Sequence, residues 1–127
     1  MGVLHPRPNI LLFAKRACDF NVTTDNTLVK QFACATFAIQ QVRVCNASIS
    51  LTTAVGGIYT AATKGGIAVV ANTQGYSALT GATLGMTAVV SPAGLDELTA
   101  DALYLNLTTA QGAAAIADVF VFGWPLT

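Results

Sequence analysis

The clearest alternation of apolar and polar positions lies near the C-terminal end, in the stretch DALYLNLTTAQGAAAIADVFVFG at residues 101–123. Residues 103–108 alternate leucine with more polar side chains, which is typical of a half-buried strand. Residues 119–122 alternate valine with phenylalanine, so both faces of this second strand are apolar. The pattern predicts an antiparallel hairpin with a long tip at residues 109–115, whose second strand lies inside a sheet covered on two sides. A helix would also suit the alanines of the tip, but Gly112 interrupts them.

The N-terminal third predicts an arm, a short strand and one long strand-like region. Residues 1–8 form the expected arm, because Pro6 and Pro8 remove two N–H donors and favour extended backbone. Residues 10–13 predict a short strand, and the polar residues 15–26 predict turns. In residues 32–53 the apolar positions change parity near Gln40 and again near Cys45, so we expect a β-bulge or bend at each place. One bent strand that crosses between two sheets and two strands with a break both satisfy this pattern.

The middle of the chain is punctuated by glycines at short intervals. Between them lie two short β-branched runs, at residues 67–70 and 86–90, and a helical turn is possible at residues 76–79 or 95–98. Short strands, close turn signals and no convincing amphipathic helix predict an all-β fold. We expect residues 1–127 to form a single domain, an antiparallel β-sandwich of jelly-roll-like type, with residues 1–8 as its extended arm.

One internal similarity suggests a repeat. Residues 50–57 (SLTTAVGG) match residues 106–113 (NLTTAQGA) at five of eight positions. A true repeat would mean two similar β units packed face to face, whereas a chain so rich in Thr, Ala and Gly also produces such matches by chance. The sequence leaves both explanations open.

Composition points to a chain that associates. Charged residues make up 9% of the sequence against a usual ~25%, and six bases balance six acids. Because a soluble monomer needs a charged surface, we expect a stable oligomer that hides much of its outside against other subunits. We expect no nucleic-acid partner, since the few bases are scattered. We also expect no membrane partner, because the early apolar run at residues 10–14 is too short for a span or a signal segment, and this favours synthesis and assembly in a cytoplasm.

Candidate chemistry is sparse, and we expect no catalytic, cofactor or metal site. His5 is the single histidine and lies in the predicted arm, so one chain cannot supply a His-dependent triad or a multi-His metal site. Asp96, Glu97 and Asp101 cluster in sequence without the spacing of a calcium loop, which favours a solvated turn. No glycine-rich phosphate-binding pattern occurs. We therefore expect that the protein is not an enzyme and that a small-molecule ligand is unlikely to be its partner.

The three cysteines, Cys18, Cys45 and Cys34, are the remaining reactive candidates. An odd number cannot pair fully within one chain, so an interchain disulfide is possible once the protein meets oxidising surroundings. Cys18 is favoured, because Lys15 and Arg16 beside it suggest an exposed thiol with a lowered pKa. The competing interpretation is that all three are reduced and act as small apolar residues, with Cys34 the strongest case.

Three segments carry a resemblance to a known class of proteins: GGIYTAATKGG, YSALTGAT and ALYLNLTTAQGAAAIADVFVFG. They resemble the small Ala/Thr-rich virion proteins of tailed bacteriophages that are encoded beside the major capsid protein. The resemblance covers roughly residues 50–123 and contains no catalytic signature. It implies a β-sandwich, usually a homotrimer, that clamps or decorates the outside of the capsid shell.

Two functions follow as expectations. The first is a head decoration or cement protein that binds the major capsid protein, resides in the virion and assembles in the host cytoplasm, with residues 1–8 and 109–115 at contacts with neighbours. The alternative is a receptor- or glycan-binding module of a phage tail or head fibre. That module would need exposed aromatic side chains, for which Tyr59, Tyr76 and Trp124 are the candidates.

Overall fold

The computed structural model describes residues 9–80 and 85–127, which form eight strands and one short 3₁₀ turn. The predicted arm at residues 1–8 lies outside the described residues. The 3₁₀ turn spans Ala93–Leu95. The strands are β1 (Ile10–Asp19), β2 (Asn26–Lys30), β3 (Phe37–Cys45), β4 (Val55–Ala61), β5 (Gly65–Val70), β6 (Gly85–Ala88), β7 (Ala102–Thr109) and β8 (Ile116–Pro125).

The strands pair as a long hairpin that has been rolled up. β1 pairs with β8, β2 with β7, β3 with β6 and β4 with β5, all antiparallel. Three further antiparallel pairs, β1–β2, β3–β8 and β4–β7, join the strands into one eight-stranded sheet of order β5-β4-β7-β2-β1-β8-β3-β6. This is the strand order of a jelly roll.

The sheet curls until its two ends meet. A bridge joins Val70 to Val90, and the Ser91 amide donates to the Val69 carbonyl oxygen at 2.8 Å. The predicted all-β fold is therefore confirmed. Since hydrogen bonding is continuous through β1–β2, the eight strands form one curled sheet, and the finer expectation of two separate sheets in a sandwich is not confirmed.

The predicted C-terminal hairpin is wrong, although both of its strands exist. β7 pairs with β2 and β4, whereas β8 pairs with β1 and β3, so the two strands lie in different halves of the sheet. The connecting loop is held by its own chain: the Gln111 amide donates to the Phe20 carbonyl oxygen, and the Gln111 side chain accepts from the amides of Thr53 and Ala54. Local alternation identifies a strand and its buried face, but it carries no information about which distant strand is the partner.

The first strand is longer than the sequence predicts. β1 continues through Lys15 and Arg16 to Asp19, so the turn expected over residues 15–26 is confined to its second half. A bulge between Lys15 and Cys18 places Ala17 at φ 53 and lets the strand keep pairing with β8. Polar residues therefore belong to a strand here, because the pairing with β8 decides its length.

The long region at residues 32–53 holds one strand, β3, and a loop. The expected bulge near Gln40 is present between Ile39 and Gln41. β3 ends at Cys45, and Asn46 follows in the left-handed region at φ 57. The second parity change thus marks the end of a strand, and residues 46–54 continue as a loop.

The two similar segments are not a structural repeat. Residues 50–57 run from a loop into β4, whereas residues 106–113 run from β7 into a loop. They are partners, since Val55 lies opposite Thr109 and Gly56 opposite Leu107. The expected strands at residues 67–70 and 86–90 correspond to β5 and β6, and a single turn closes at residues 76–79, where the Leu79 amide donates to the Tyr76 carbonyl oxygen. The second possible turn is displaced, because the 3₁₀ turn ends at Leu95.

The core fills the inside of the curled sheet. Phe13 and Phe37 meet edge to face with ring centroids 5.0 Å apart, and Phe20 meets Tyr76 in the same way at 5.3 Å. These pairs join β1 to β3 and tie the loop that carries Tyr76 to the β1–β2 turn. In the part of the chain that the structure describes, no helix is long and apolar enough to cross a membrane.

Candidate interaction surface

The described residues do not assemble a metal-binding cluster. No three His, Cys, Asp or Glu side chains within residues 9–80 and 85–127 lie together in a way that could hold a metal ion. Asp96, Glu97 and Asp101 are exposed to solvent, as the solvated-turn interpretation predicts.

One open cleft of about 360 Å³ lies beside the seam where the sheet closes. Its amide side chain, Gln74, is already engaged: Oε1 accepts from the Val89 amide at 2.8 Å and Nε2 donates to the Gly75 carbonyl oxygen at 2.7 Å. The lining contains no charged side chain and consists of Ala71, Thr73, Gln74, Gly75, Val89, Val90, Ser91 and Pro92. The cleft therefore offers a ligand little beyond shape.

The outer face of β8 is the unusual feature of the surface. Val119 and Val121 point into the core, so the alternating residues Phe120 and Phe122 point outward, where both remain half-buried. The solvent face of an antiparallel sheet normally carries polar side chains at such positions. Two phenylalanines in consecutive outward positions are typical of a surface that a partner covers.

The strands beside β8 extend this apolar surface. Residues directly opposite each other on paired strands share a face. Phe122 lies opposite Leu11, Phe120 lies opposite Ala14, and Ala14 lies opposite Val29 of β2. Val29 is 56% exposed. We call the surface formed by Leu11, Ala14, Val29, Phe120 and Phe122 the β8 face.

Two arginines border the β8 face, one on each of the strands that flank β8. Arg43 of β3 lies directly opposite Phe120 and is exposed. Arg16, also exposed, lies near enough that it and Arg43 both act on the half-buried Cys45. Burial and then Asp118 raise the pKa of Cys45, while Arg43 and Arg16 oppose them. The apolar surface therefore has a cationic margin.

Asp118 lies on β8, two residues before Phe120, and accepts hydrogen bonds from both neighbouring segments. Its Oδ1 accepts from the Ala17 amide at 2.8 Å, and its Oδ2 accepts from the Asn46 side-chain amide at 2.9 Å. Ala17 and Asn46 are both left-handed, on β1 and after β3 respectively. One carboxylate thus links the left-handed Ala17 of β1 to the left-handed residue that follows β3.

We expect Asp118→Ala to lower the free energy of unfolding by about 2–4 kcal/mol, because two hydrogen bonds to a charged acceptor are lost. Urea unfolding followed by circular dichroism measures this. Asp101→Ala is the matched control, since Asp101 is exposed at the start of β7, and it should change stability by no more than about 0.5 kcal/mol. Equal effects of the two substitutions would contradict the role given to Asp118.

The structure contradicts the predicted exposure of Cys18. Cys18, expected to be exposed, is fully buried, with its thiol donating to the Lys15 carbonyl oxygen. Burial raises the pKa of Cys18 from 9.0 to about 12; Lys15 lowers it and Asp118 raises it, but burial dominates. The bulge at residues 15–18 is what turns Cys18 inward, opposite Ala117, and the sequence alone did not reveal it. All three cysteines are free thiols, and Cys34 and Cys45 are half-buried. The exposure that favoured Cys18 for an interchain disulfide is therefore absent in the folded chain.

In the folded protein we expect iodoacetamide to modify Cys18 far more slowly than Cys34 or Cys45, as measured by mass spectrometry of the digested protein. The raised pKa also predicts a loss of stability at high pH. Between pH 9 and about 12 the thiol ionises in the unfolded chain and stays protonated in the folded one, so the free energy of unfolding should fall across that window. Rapid alkylation of native Cys18 at pH 8 would contradict the buried position.

Two of the three aromatic candidates for glycan binding belong to the interior. Tyr76 is fully buried and its hydroxyl donates to the Gly56 carbonyl oxygen at 3.0 Å. Tyr59 is 6% exposed. Trp124 is half-buried on β8. These positions do not form an exposed aromatic platform.

The alternation in the sequence identifies Phe120 and Phe122, but it gives no sign that Leu11, Val29 and Arg43 belong to the same surface. The register that brings them together joins strands distant in the chain, and no local pattern encodes it. Comparison with protein-family models, with curated proteins and with solved structures finds no match for this chain.

Proposed function

We propose that the chain is a structural virion protein, a bacteriophage head decoration or cement protein that binds the outside of the capsid shell and stabilises it as a homotrimer. It acts without catalysis, cofactor, nucleic acid or membrane. Its site of action is the virion surface, and it assembles in the host cytoplasm. The observation that carries the proposal is the β8 face, an apolar outer surface on a chain of net charge zero.

Two further features support it. The segments GGIYTAATKGG, YSALTGAT and ALYLNLTTAQGAAAIADVFVFG resemble small virion proteins of tailed phages. The jelly-roll strand order is also found in viral capsid domains, although it serves lectins and cupins equally, so this support is an analogy of fold.

The proposed mechanism is linkage. A protein that binds the assembled lattice and has no affinity for dissociated capsid subunits stabilises the lattice by the free energy of that binding. Many copies across many junctions add their contributions. No bond needs to form or break in this mechanism.

Mass spectrometry of purified phage particles tests the function. We expect the chain to be present in multiples of three, at a fixed ratio to the major capsid protein. Particles that lack the chain should lose DNA at a lower temperature than complete particles, and adding the purified chain should restore their stability. Absence of the chain from purified particles would contradict the proposal. The receptor- or glycan-binding alternative is not proposed, because Tyr76 and Tyr59 are buried.

A further inference from the structure

We infer that the β8 face binds a second copy of this chain, and that the segment it receives is the turn Leu95-Asp96-Glu97. This inference rests on the homo-oligomeric part of the proposed function and names the two surfaces that form the contact. It is independent of which virion component the oligomer then binds.

The turn exposes one apolar side chain, Leu95, which two acidic residues follow directly. Leu95 is 58% exposed, and Asp96 and Glu97, which follow it, are both exposed. A leucine so exposed at the end of a 3₁₀ turn buries little apolar surface in its own chain, so its burial elsewhere is favourable.

Backbone hydrogen bonds and close packing fix the conformation of the turn. The Leu95 amide donates to the Pro92 carbonyl oxygen at 3.2 Å, and the Gly94 amide donates to that of Ser91 at 2.9 Å. Gly94 packs so closely on β5 that a Cβ there would lie 2.8 Å from the Val69 carbonyl oxygen. A segment fixed in this way loses little conformational freedom on binding.

The turn and the β8 face lie on different parts of the chain. The turn packs against β5 and β3, whereas the β8 face is formed by β1, β2 and β8. The contact that we infer is therefore one between two copies.

The two surfaces match in chemistry. The β8 face offers apolar side chains on both sides of Ala14, a small residue that lies opposite Phe120. Arg43 and Arg16 stand at its margin, and the turn brings Asp96 and Glu97 next to Leu95. A guanidinium can bind a carboxylate through two parallel hydrogen bonds, which fixes the register of the contact as well as its charge.

The contact joins two different surfaces of the chain, so it is head-to-tail. Such contacts generate closed rings when the rotation between subunits closes, and a ring of three is the trimer of the proposed function. An isologous dimer would instead need one surface to meet itself, which would bring Arg43 and Arg16 of two copies close together at the cost of like-charge repulsion.

Charge reversal with rescue tests the inference, measured by sedimentation velocity of the purified full chain at micromolar concentration and low salt. Wild type should sediment as a trimer. Arg43→Glu and Glu97→Arg should each weaken association at least about tenfold, and the double variant should recover most of the loss, because the pair is restored with opposite polarity. Lys64→Glu, which reverses an exposed base on the β4–β5 turn, is the matched control and should have no effect.

The apolar half of the contact is tested separately. Leu95→Ser should shift the trimer towards monomer, whereas Ile49→Ser, at a side chain that is 37% exposed in the loop after β3, should not. Both substitutions are at exposed positions, so the folded spectrum by circular dichroism should be unchanged.

The outcomes that overturn the inference are distinct. A wild-type chain that sediments as a folded monomer overturns it, as does a double variant no better associated than either single one. If Arg43→Glu leaves the oligomer intact and abolishes binding to particles instead, the occupant of the β8 face is the capsid protein and the inference is wrong. Presence of the chain in purified particles, measured independently, decides the proposed function in each of these cases.

Discussion

Gly123→Ala is expected to lower the free energy of unfolding by about 3 kcal/mol or more, at the upper end of what overpacking costs. Gly123 lies in β8 between β1 and β3, opposite Ile10 and Ile39. A Cβ at this position would overlap the Ala38 carbonyl oxygen and lie 2.9 Å from the Cα of Ile39. Both are backbone atoms of a central strand pair, so no flexible side chain can move aside, and relief requires β3 to separate from β8.

Gly75→Ala is the matched control for Gly123→Ala. Gly75 has open space where a Cβ would be placed, and its φ is not in the left-handed region. The substitution should be neutral or slightly stabilising, since alanine restricts the unfolded chain. Thermal or urea unfolding of both variants measures the difference. A Gly123→Ala protein as stable as the Gly75→Ala protein would show that the close contact of β8 with β3 is not required.

The sequence was informative where structure depends on local pattern. The alternation at residues 103–108 correctly identified β7 and its inward leucines, and the valines at 119 and 121 correctly identified the buried side of β8. The parity change near Gln40 correctly located the bulge in β3. In each case the information needed lies within a few residues, because side chains of a strand alternate between faces whatever its partner is.

The sequence was misleading where structure depends on distant partners. β7 and β8 are consecutive strands joined by a loop containing glycine, and such strands usually pair. In this sheet they lie in different halves, because β7 pairs with β2 and β8 pairs with β1, at the opposite end of the chain. The prediction that Cys18 is exposed was wrong for a related reason. The bulge in the pairing of β1 with β8 turns Cys18 inward, although it lies in a polar stretch of the sequence.

The β8 face was likewise predictable only in the part that depends on local pattern. Phe120 and Phe122 could be recognised as outward apolar residues once β8 was identified, and they were interpreted as evidence that the sheet is covered on both sides. β8 does lie inside the sheet, between β1 and β3. Within residues 9–80 and 85–127, however, the outward side chains remain partly exposed, which leaves this face available to another chain. This connects the low charge of the whole sequence to one defined surface.

Tyr76→Ala is expected to lower the free energy of unfolding by about 3–5 kcal/mol, the usual cost of removing a buried aromatic ring. Tyr76 is fully buried in the loop between β5 and β6, far from any strand pairing that local pattern predicts. Its ring packs edge to face on Phe20, and its amide donates to the Ala54 carbonyl oxygen at 3.2 Å. It therefore connects the loop between β5 and β6 to the β1–β2 turn and to the loop before β4.

Tyr76→Phe separates the ring from the hydroxyl. It should cost only about 1 kcal/mol, the net value of the hydrogen bond to the Gly56 carbonyl oxygen. Phe32→Ala, at a side chain that is 41% exposed, is the control for aromatic truncation and should cost much less than Tyr76→Ala. Burial also raises the pKa of Tyr76, so a spectrophotometric titration should show tyrosine that ionises only when the protein unfolds at high pH. Burial raises the pKa of Tyr59 as well, so Tyr76→Phe should reduce that phase by one tyrosine and leave the part due to Tyr59. If Tyr76→Phe leaves the amplitude of that phase unchanged, Tyr76 ionises in the native protein and its ring does not anchor the loops.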